Sequence, residues 1–332
     1  MAPAPVLSIV VPVYNEADGL DALVDRVDQA MSRIEPSFEV VFVNDGSRDG
    51  TIDKLRALCA KDHRLTAISF SRNFGKEIAI AAGLDHARGE AVVIMDADLQ
   101  HPPETIAEFM AKWREGYANV YGVRRDRTNE GPLRRAFARW FYRLFARFAE
   151  TDLPPGAGDF RLLDRKAVDA LRGLGERARF SKGLYAWIGF KSVGVPFDVA
   201  ERVHGETKWS FRKLFRFAFD GITSFSTVPL RVWTYVGVFV SFCAFLAALA
   251  FVIEALFYGV QTPGFPSLIV SVMFFAGIQL MSLGVLGEYI GRVFAEVKRR
   301  PLYIVEERLG MEDDERGAAS FRDERRKHQD AR

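Results

Sequence analysis

The chain of 332 residues has only two cysteines, Cys59 and Cys243. Cys59 sits in a soluble, helix-like stretch and Cys243 in an apolar run. No disulfide framework is implied, and a reducing compartment fits. The five histidines do not cluster, which disfavours a zinc site built from Cys and His. No basic region precedes the short apolar run Leu7–Val13, so no secretory signal is expected. The net charge of +2 says nothing by itself. Its distribution says more, because basic residues recur beside aromatics in several stretches.

Charge is missing altogether from two segments. Tyr235–Ile253 reads YVGVFVSFCAFLAALAFVI and Leu268–Gly287 reads LIVSVMFFAGIQLMSLGVLG. Each is about 20 residues, which as helix covers roughly 30 Å, the thickness of a bilayer's hydrocarbon. Buried core helices rarely stay uncharged on all sides for so long. A short turn rich in proline and glycine, Tyr258–Ser267, joins the two. Basic residues flank the pair on one side: Arg231 and the Lys208–Arg216 cluster before, Arg292, Lys298, Arg299 and Arg300 after. By the positive-inside rule this is a multi-pass hairpin of the cell's inner (plasma) membrane, with the N-terminal domain and both termini cytoplasmic. Gln279, polar in mid-span, and Gly284, Gly287 and Gly291 offer a packing face. A homo-oligomer is expected, with a tetramer as the working number.

The first 207 residues read as alternating strands and helices. The apolar runs Leu7–Val13, Phe38–Val43, Leu65–Phe70, Ala91–Met95 and Asn119–Val123 are separated by amphipathic stretches. That pattern predicts an α/β, Rossmann-like, mostly parallel sheet with helices on both faces and ligands at the carboxyl ends of the strands. Polar groups fall at those ends: Tyr14-Asn15-Glu16, Asn44-Asp45-Gly46-Ser47, Arg72-Asn73-Phe74-Gly75-Lys76 and Asp96-Ala97-Asp98-Leu99-Gln100. Two carboxylates one residue apart, Asp96 and Asp98, can share a hard divalent cation, Mg²⁺ or Mn²⁺, and the diphosphate it neutralises. A lone D-x-D is usually only solvated. Asp45 at the neighbouring strand end, with Gln100 and His101 close by, favours a site here.

The segments PVYNE, NDGS, SRNFGKE and DADLQHPPE, in this order and spacing, resemble glycosyltransferase family 2 with the GT-A fold. GDFRLLDR at Gly158–Arg165, GETKWSFRKL at Gly205–Leu214, DGITSFSTVPLR at Asp220–Arg231 and GEYIGRVFAEVKRRPLY at Gly287–Tyr303 narrow the likeness to bacterial polyprenyl-phosphate glycosyltransferases. Bactoprenol glucosyltransferases are among these, and dolichyl-phosphate mannose synthases are near relatives. The resemblance covers roughly residues 6–306. It implies that Pro12, Tyr14, Glu16 and Asp45 hold the nucleotide, and that Asp96 contacts nucleotide or metal. It further implies that Asp98 and Gln100 complete the metal site, and that Arg124 and Arg134 bind the acceptor phosphate. Relatives often carry a serine four residues after the second arginine, where this chain has Ala138. A processive Q-x-x-R-W motif is incomplete, with Ala136 in place of the glutamine before Arg139-Trp140. Polymer synthesis is therefore disfavoured. Asp159 is a candidate base or acceptor-orienting group; the plain alternative is that it pins Arg161. Lys76 either faces the diphosphate or is a solvated lysine at a helix start.

Arg134–Phe148, RRAFARWFYRLFARF, spaces Arg135, Arg139, Arg143 and Arg147 four apart among aromatics. Such a basic amphipathic helix, over about residues 132–149, suits a membrane interface and contact with lipids. These aromatics are too apolar for a solvated groove, so nucleic acid is not the expected partner. Residues 208–230 form a second such juxtamembrane stretch, 231–300 the membrane hairpin, and 301–332 a charged tail. The expected reaction is metal-dependent, inverting transfer of one sugar from a nucleotide diphosphate sugar, UDP-glucose or similar, to polyprenyl phosphate. The alternatives are GDP-mannose transfer to dolichyl phosphate, an aminosugar transfer, and a catalytically dead membrane scaffold. The topology is directly testable. A cysteine placed by Gln261→Cys should be labelled from outside intact cells by a membrane-impermeant maleimide, and labelling only after lysis would reverse the orientation.

Overall fold

The computed structural model describes residues 5–125, 157–176, 181–198 and 264–311, with scattered positions between 233 and 257. The expected interface helix with Arg134, the juxtamembrane stretch and residues 312–332 lie outside the described residues.

Strands β1 (Leu7–Val13), β2 (Phe38–Asn44), β3 (Leu65–Phe70) and β4 (Ala91–Ile94) are the apolar runs of the sequence, and nearly every residue in them is buried. Burial on both faces is what a parallel strand under two helical layers requires. Helix α1 (Leu20–Ile34) turns Leu20, Leu23, Val27, Ala30 and Met31 inward at helical spacing. Helices α2 (Thr51–Lys61) and α3 (Lys76–His86) complete the alternation. In α3 the run Ala79–Leu84 is buried almost without interruption, and its small residues bring the helix close to the sheet.

The second half of the domain is less regular. Helix α4 (Ile106–Arg114) leads to β5 (Asn119–Arg124). Strand β6 (Ala157–Asp164) runs straight into α5 (Arg165–Gly173), whose N-cap Asp164 accepts from the Lys166 amide at 3.0 Å. Then come α6 (Ser181–Trp187) and β7 (Ser192–Phe197). After the long helix α7 (Phe265–Val297), strand β8 (Val305–Leu309) returns to the domain.

Among the described residues these strands form one eight-stranded sheet in the order β7-β5-β6-β4-β1-β2-β3-β8. The pairs β1–β2, β1–β4, β2–β3 and β5–β7 are parallel. Strand β6 is antiparallel to both β4 and β5, and β8 is antiparallel to β3. The expectation of a mostly parallel α/β sheet is met, with β6 and β8 as antiparallel additions. At the amino end of the sheet, buried Glu39 accepts from the Ser8 hydroxyl at 2.6 Å and the Arg88 amide at 2.7 Å. That end is a structural knot, and the opposite end is free for chemistry.

Helix α7 is 33 residues long, so it continues beyond the span expected at 268–287. Its stretch Phe274–Val297 is apolar enough to cross a membrane, with a mean hydropathy of 1.3. Its described side chains are mostly exposed, including Phe274, Leu280, Leu283 and Ile290. Its late charged residues pair internally, Arg292 to Glu288 at 3.1 Å. Of the expected partner span, the described positions, such as 235–240, are helical. Among the described residues α7 alone meets the length and composition of a membrane span.

A side chain at Gly83 would overlap Val10 on β1, so glycine sets the approach of α3. Gly83→Ala should gain about 1 kcal/mol of helix propensity and lose about 1–3 kcal/mol to overpacking. The expected result is a lower thermal midpoint, partly restored when Val10→Ala is added. A melting temperature unchanged by Gly83→Ala would show that α3 can lift without cost.

Candidate functional site

The carboxyl ends of β1, β2 and β3 are stapled to one another by their own polar residues. Asn15, at φ 56°, occupies a left-handed turn after β1. Its amide donates to Ser47 Oγ and its side-chain oxygen accepts from the Arg48 amide, each at 2.9 Å. The Glu16 amide donates to Thr51 Oγ1 at 3.0 Å. Buried Asn44 donates to Ser69 Oγ on β3 at 2.9 Å. Gly46, at φ 63°, lies so close to the backbone of Arg72 and Asn73 that no Cβ fits. Asn15 and Gly46 therefore carry the two positive-φ turns that let the three loops meet.

Asp45 is 4% exposed, and its carboxylate accepts from the amides of Phe74 at 2.6 Å and Gly75 at 2.9 Å. Burial pushes this carboxyl up from its ordinary value, against the pull of those two amides and of Arg72. Asp45 thus fixes the 71–76 loop, which delivers Lys76 to the start of α3. Tyr14 is exposed, while Pro12 and Glu16 are half-buried on the rim of the same crevice.

Strand β6 supplies the other wall. Its antiparallel register sets Ile94 opposite Arg161. Continuing that register by two residues puts Asp159 beside Asp96, with Lys76 between them. The Lys76 ammonium meets Asp96 Oδ1 at 2.6 Å and Asp159 Oδ2 at 3.0 Å. Burial alone would lower the Lys76 pKa, but the two carboxylates hold it above the ordinary lysine value. Burial alone would raise the Asp159 carboxyl, but Lys76, with Lys182 and Arg161, holds it below the ordinary carboxylate range. Asp159, half-buried, is therefore an anion at neutral pH.

Gln100 donates its amide to Asp98 Oδ1 at 3.1 Å, closing the D-x-D turn around Leu99 at φ 58°. The Asp96 amide donates to His101 Nδ1 at 3.1 Å. That acceptor role places the ring proton on Nε2. His101 is 4% exposed and stacks on Phe160 at 4.7 Å, and burial lowers its pKa so that it is neutral. Arg124 ends β5, exposed, on the same side. Arg134 lies outside the described residues. Among the described residues no three His, Cys, Asp or Glu side chains form a metal cage. Asp96 and Asp98 are two carboxylates and no more, a donor set suited to a hard cation that keeps phosphate oxygens as ligands.

Sequence reasoning left a second layer unassigned. Arg161 is 2% exposed, donates to the Gly158 carbonyl at 2.6 Å, and lies over the buried Tyr185 ring at 3.6 Å. Glu77 accepts from the Ser181 amide at 3.0 Å, and burial raises its pKa, with Asp159 adding to the shift. These residues come from β6, α3 and α6, and only the closed sheet brings them together. The antiparallel register of β6 was the missing signal.

Breaking the Lys76 bridge should strand Asp159. Losing one partner of a fully buried pair costs about 3–5 kcal/mol. The Lys76 side chain is 43% exposed, so solvent screening reduces the cost of Lys76→Met to about 2 kcal/mol. Adding Asp159→Asn should recover most of that loss in thermal unfolding. A double variant as unstable as Lys76→Met would mean that the bridge carries no charge balance.

Comparison with known proteins agrees with this architecture. Residues 8–172 match the profile described as Glycosyl transferase family 2. A protein of Synechocystis sp. named as an uncharacterized glycosyltransferase is 47% identical over 306 residues, covering 92% of this chain and 96% of that one. A prophage-derived bactoprenol glucosyl transferase of Shigella flexneri is 44% identical, covering 90% of this chain and 97% of that one. A prophage bactoprenol glucosyl transferase homolog of Escherichia coli (strain K12) is 42% identical, covering 90% of this chain and 98% of that one.

Proposed function

We propose a specific reaction for this chain, which belongs to glycosyl transferase family 2 and is a glycosyltransferase with a GT-A-like α/β fold. It moves one glucose-type sugar from a nucleotide diphosphate sugar, UDP-glucose first among candidates, to a polyprenyl phosphate at the cytoplasmic face of a membrane. The observation that carries this reading is the convergence of Lys76, Asp96 and Asp159 at the carboxyl end of the sheet. Near full-length similarity to relatives named bactoprenol glucosyl transferases supports the lipid acceptor. So does an apolar helix, α7, in the same chain.

The chemistry needs little from the acceptor side. A phosphate monoester has a second pKa of about 6, so a nucleophilic oxygen is available at neutral pH without a strong base. That oxygen attacks the anomeric carbon as the bond to the diphosphate breaks, and the nucleoside diphosphate leaves with the electron pair. Attack opposite the leaving group inverts the anomeric centre. A Mg²⁺ or Mn²⁺ ion held by Asp96 and Asp98, with Gln100 beside them, would supply positive charge for the departing diphosphate. Lys76 offers a second fixed cation next to Asp96, and its ammonium can turn from the carboxylates to phosphate oxygens. Asp159, kept ionised by Lys76, orients the acceptor end. Pro12, Tyr14, Glu16 and Asp45 frame the nucleotide. Arg124 and Arg134 take the acceptor phosphate, for which a guanidinium fork is well shaped. The membrane hairpin, cytoplasmic termini and a homo-oligomer complete the reading.

The test uses purified full-length protein, Mg²⁺ or Mn²⁺, a short polyprenyl phosphate and a panel of labelled nucleotide sugars. UDP-glucose should give lipid-linked glucose of inverted configuration. EDTA or Asp98→Ala should abolish transfer and weaken donor binding. Full turnover in EDTA would overturn the metal assignment, and a product of retained configuration would overturn the single displacement.

A further inference from the structure

The strand that follows the membrane helix is attached at the donor loop. Strand β8 pairs antiparallel with β3 and covers what would otherwise be an open sheet edge. At its middle Glu307 forms a two-bonded fork with Arg56 of α2, at 2.9 and 2.6 Å. At its near end the contacts change in character. The Ser71 amide donates to the Ile304 carbonyl at 3.1 Å. The Tyr303 ring stacks on Phe70 at 5.0 Å, and its hydroxyl donates to Asp85 of α3 at 3.0 Å. Phe70 in turn meets Phe74 edge-on at 5.6 Å.

These contacts bracket one short segment. Phe70 ends the strand before the 71–76 loop, and Asp85 lies on the helix that begins with Lys76. Tyr303 touches both. The loop it spans supplies the two amides that Asp45 accepts and the ammonium that joins Asp96 to Asp159. Only five residues, Lys298 to Leu302, separate Tyr303 from the end of α7. At about 3.5 Å per residue they reach less than about 20 Å.

We propose that Tyr303 and Ile304 are positioning residues for the donor site: the strand after the membrane helix sets the 71–76 loop, and with it Lys76, in binding geometry. The donor part rests on the function proposed above; the positioning of the loop does not. Tying the loop to α7 gives the site its working shape only when the chain beyond the membrane helix is docked on β3.

The experiment compares full-length wild type, Tyr303→Ala and Arg56→Ala in the same detergent. Amide hydrogen exchange is read at Phe74 and Gly75, and binding is read by titration with UDP-glucose and Mn²⁺. Tyr303→Ala should speed exchange at both amides and weaken UDP-glucose binding, each about tenfold. Arg56→Ala loosens the middle of the same strand, away from Tyr303 and Ile304, so it should lower the melting temperature and change neither readout. Exchange at Phe74 and Gly75 equal to wild type in Tyr303→Ala overturns the proposal. So does an Arg56→Ala variant that reproduces both changes, because the effect is then loss of the strand in general. A wild type that binds no UDP-glucose counts against the donor assignment, while exchange at the two amides still decides whether Tyr303 holds the loop.

Discussion

A carboxylate taken out of water must find a cation or lose its charge, and the crevice of this protein is arranged around that constraint. Asp159 is largely withdrawn from water because β6 enters the sheet antiparallel beside β4. The same register sets it against Asp96, so two anions share one wall. Lys76 is the cation that makes the pair tolerable. Its position depends on the 71–76 loop, whose geometry depends in turn on Asp45 accepting two of its amides. One ion triad thus links β2, β3, β4 and β6. A diphosphate sugar entering with a divalent cation would meet one ammonium set against two carboxylates, so the cation would offset the remaining charge and leave Lys76 able to re-pair with phosphate.

Around this triad the polar groups of the strand ends are mostly spent on one another. Asn15 and Ser47, and Asn44 and Ser69, bond across loops, Thr51 and Asp49 accept from the amides of Glu16 and Ala17, and Gly46 allows the backbones to meet. A loop held by neighbouring loops loses little entropy when a ligand arrives, because the ordering cost is met on folding. His101 serves the D-x-D turn in the same way. Neutral and stacked on Phe160, it fixes the Asp96 amide without adding a charge.

Much of this was legible in the chain. Continuous apolar runs mark β1 to β4 in the sequence, and Asp45, Asp96 and Asp98 follow directly after them. Local patterns stop there. The run Gly158–Arg165 was visible as a motif, but nothing in its spacing says that it pairs antiparallel with β4 and faces Asp159 toward Lys76. Lys76 itself reads equally well as a solvated helix-start lysine. Strand β8 was missed because VEERL is short and charged, set within a segment that reads as a tail. What makes it a strand is the open edge of β3 and the anchors Tyr303 and Glu307, which are contacts over more than 200 positions. Arg161 and Tyr185 belong to the same class: a fully buried arginine becomes intelligible only once the ring beneath it and the carboxylates near it are placed.

The same long-range logic bears on how the proposed site would sit relative to a bilayer. A soluble domain on a flexible tether would sample many orientations, and a phosphate held at the headgroup level would meet the crevice rarely. Here the chain leaves α7, crosses the seven residues Lys298 to Ile304, which include Pro301, and joins the sheet. Pro301 restricts its own φ, and Arg299 already sits in the left-handed region at φ 46°, so the connection is short and conformationally limited. Lys298, Arg299 and Arg300 are exposed at the helix end, where anionic headgroups would attract them. In the proposed membrane setting, a helix held in lipid, a basic collar at its end and a strand locked to β3 would restrict the domain's rotation from one side. With the polyprenyl phosphate acceptor proposed above, that restriction would raise the effective concentration of the crevice at the headgroup plane, by the same arithmetic that makes a short linker strengthen a second binding event.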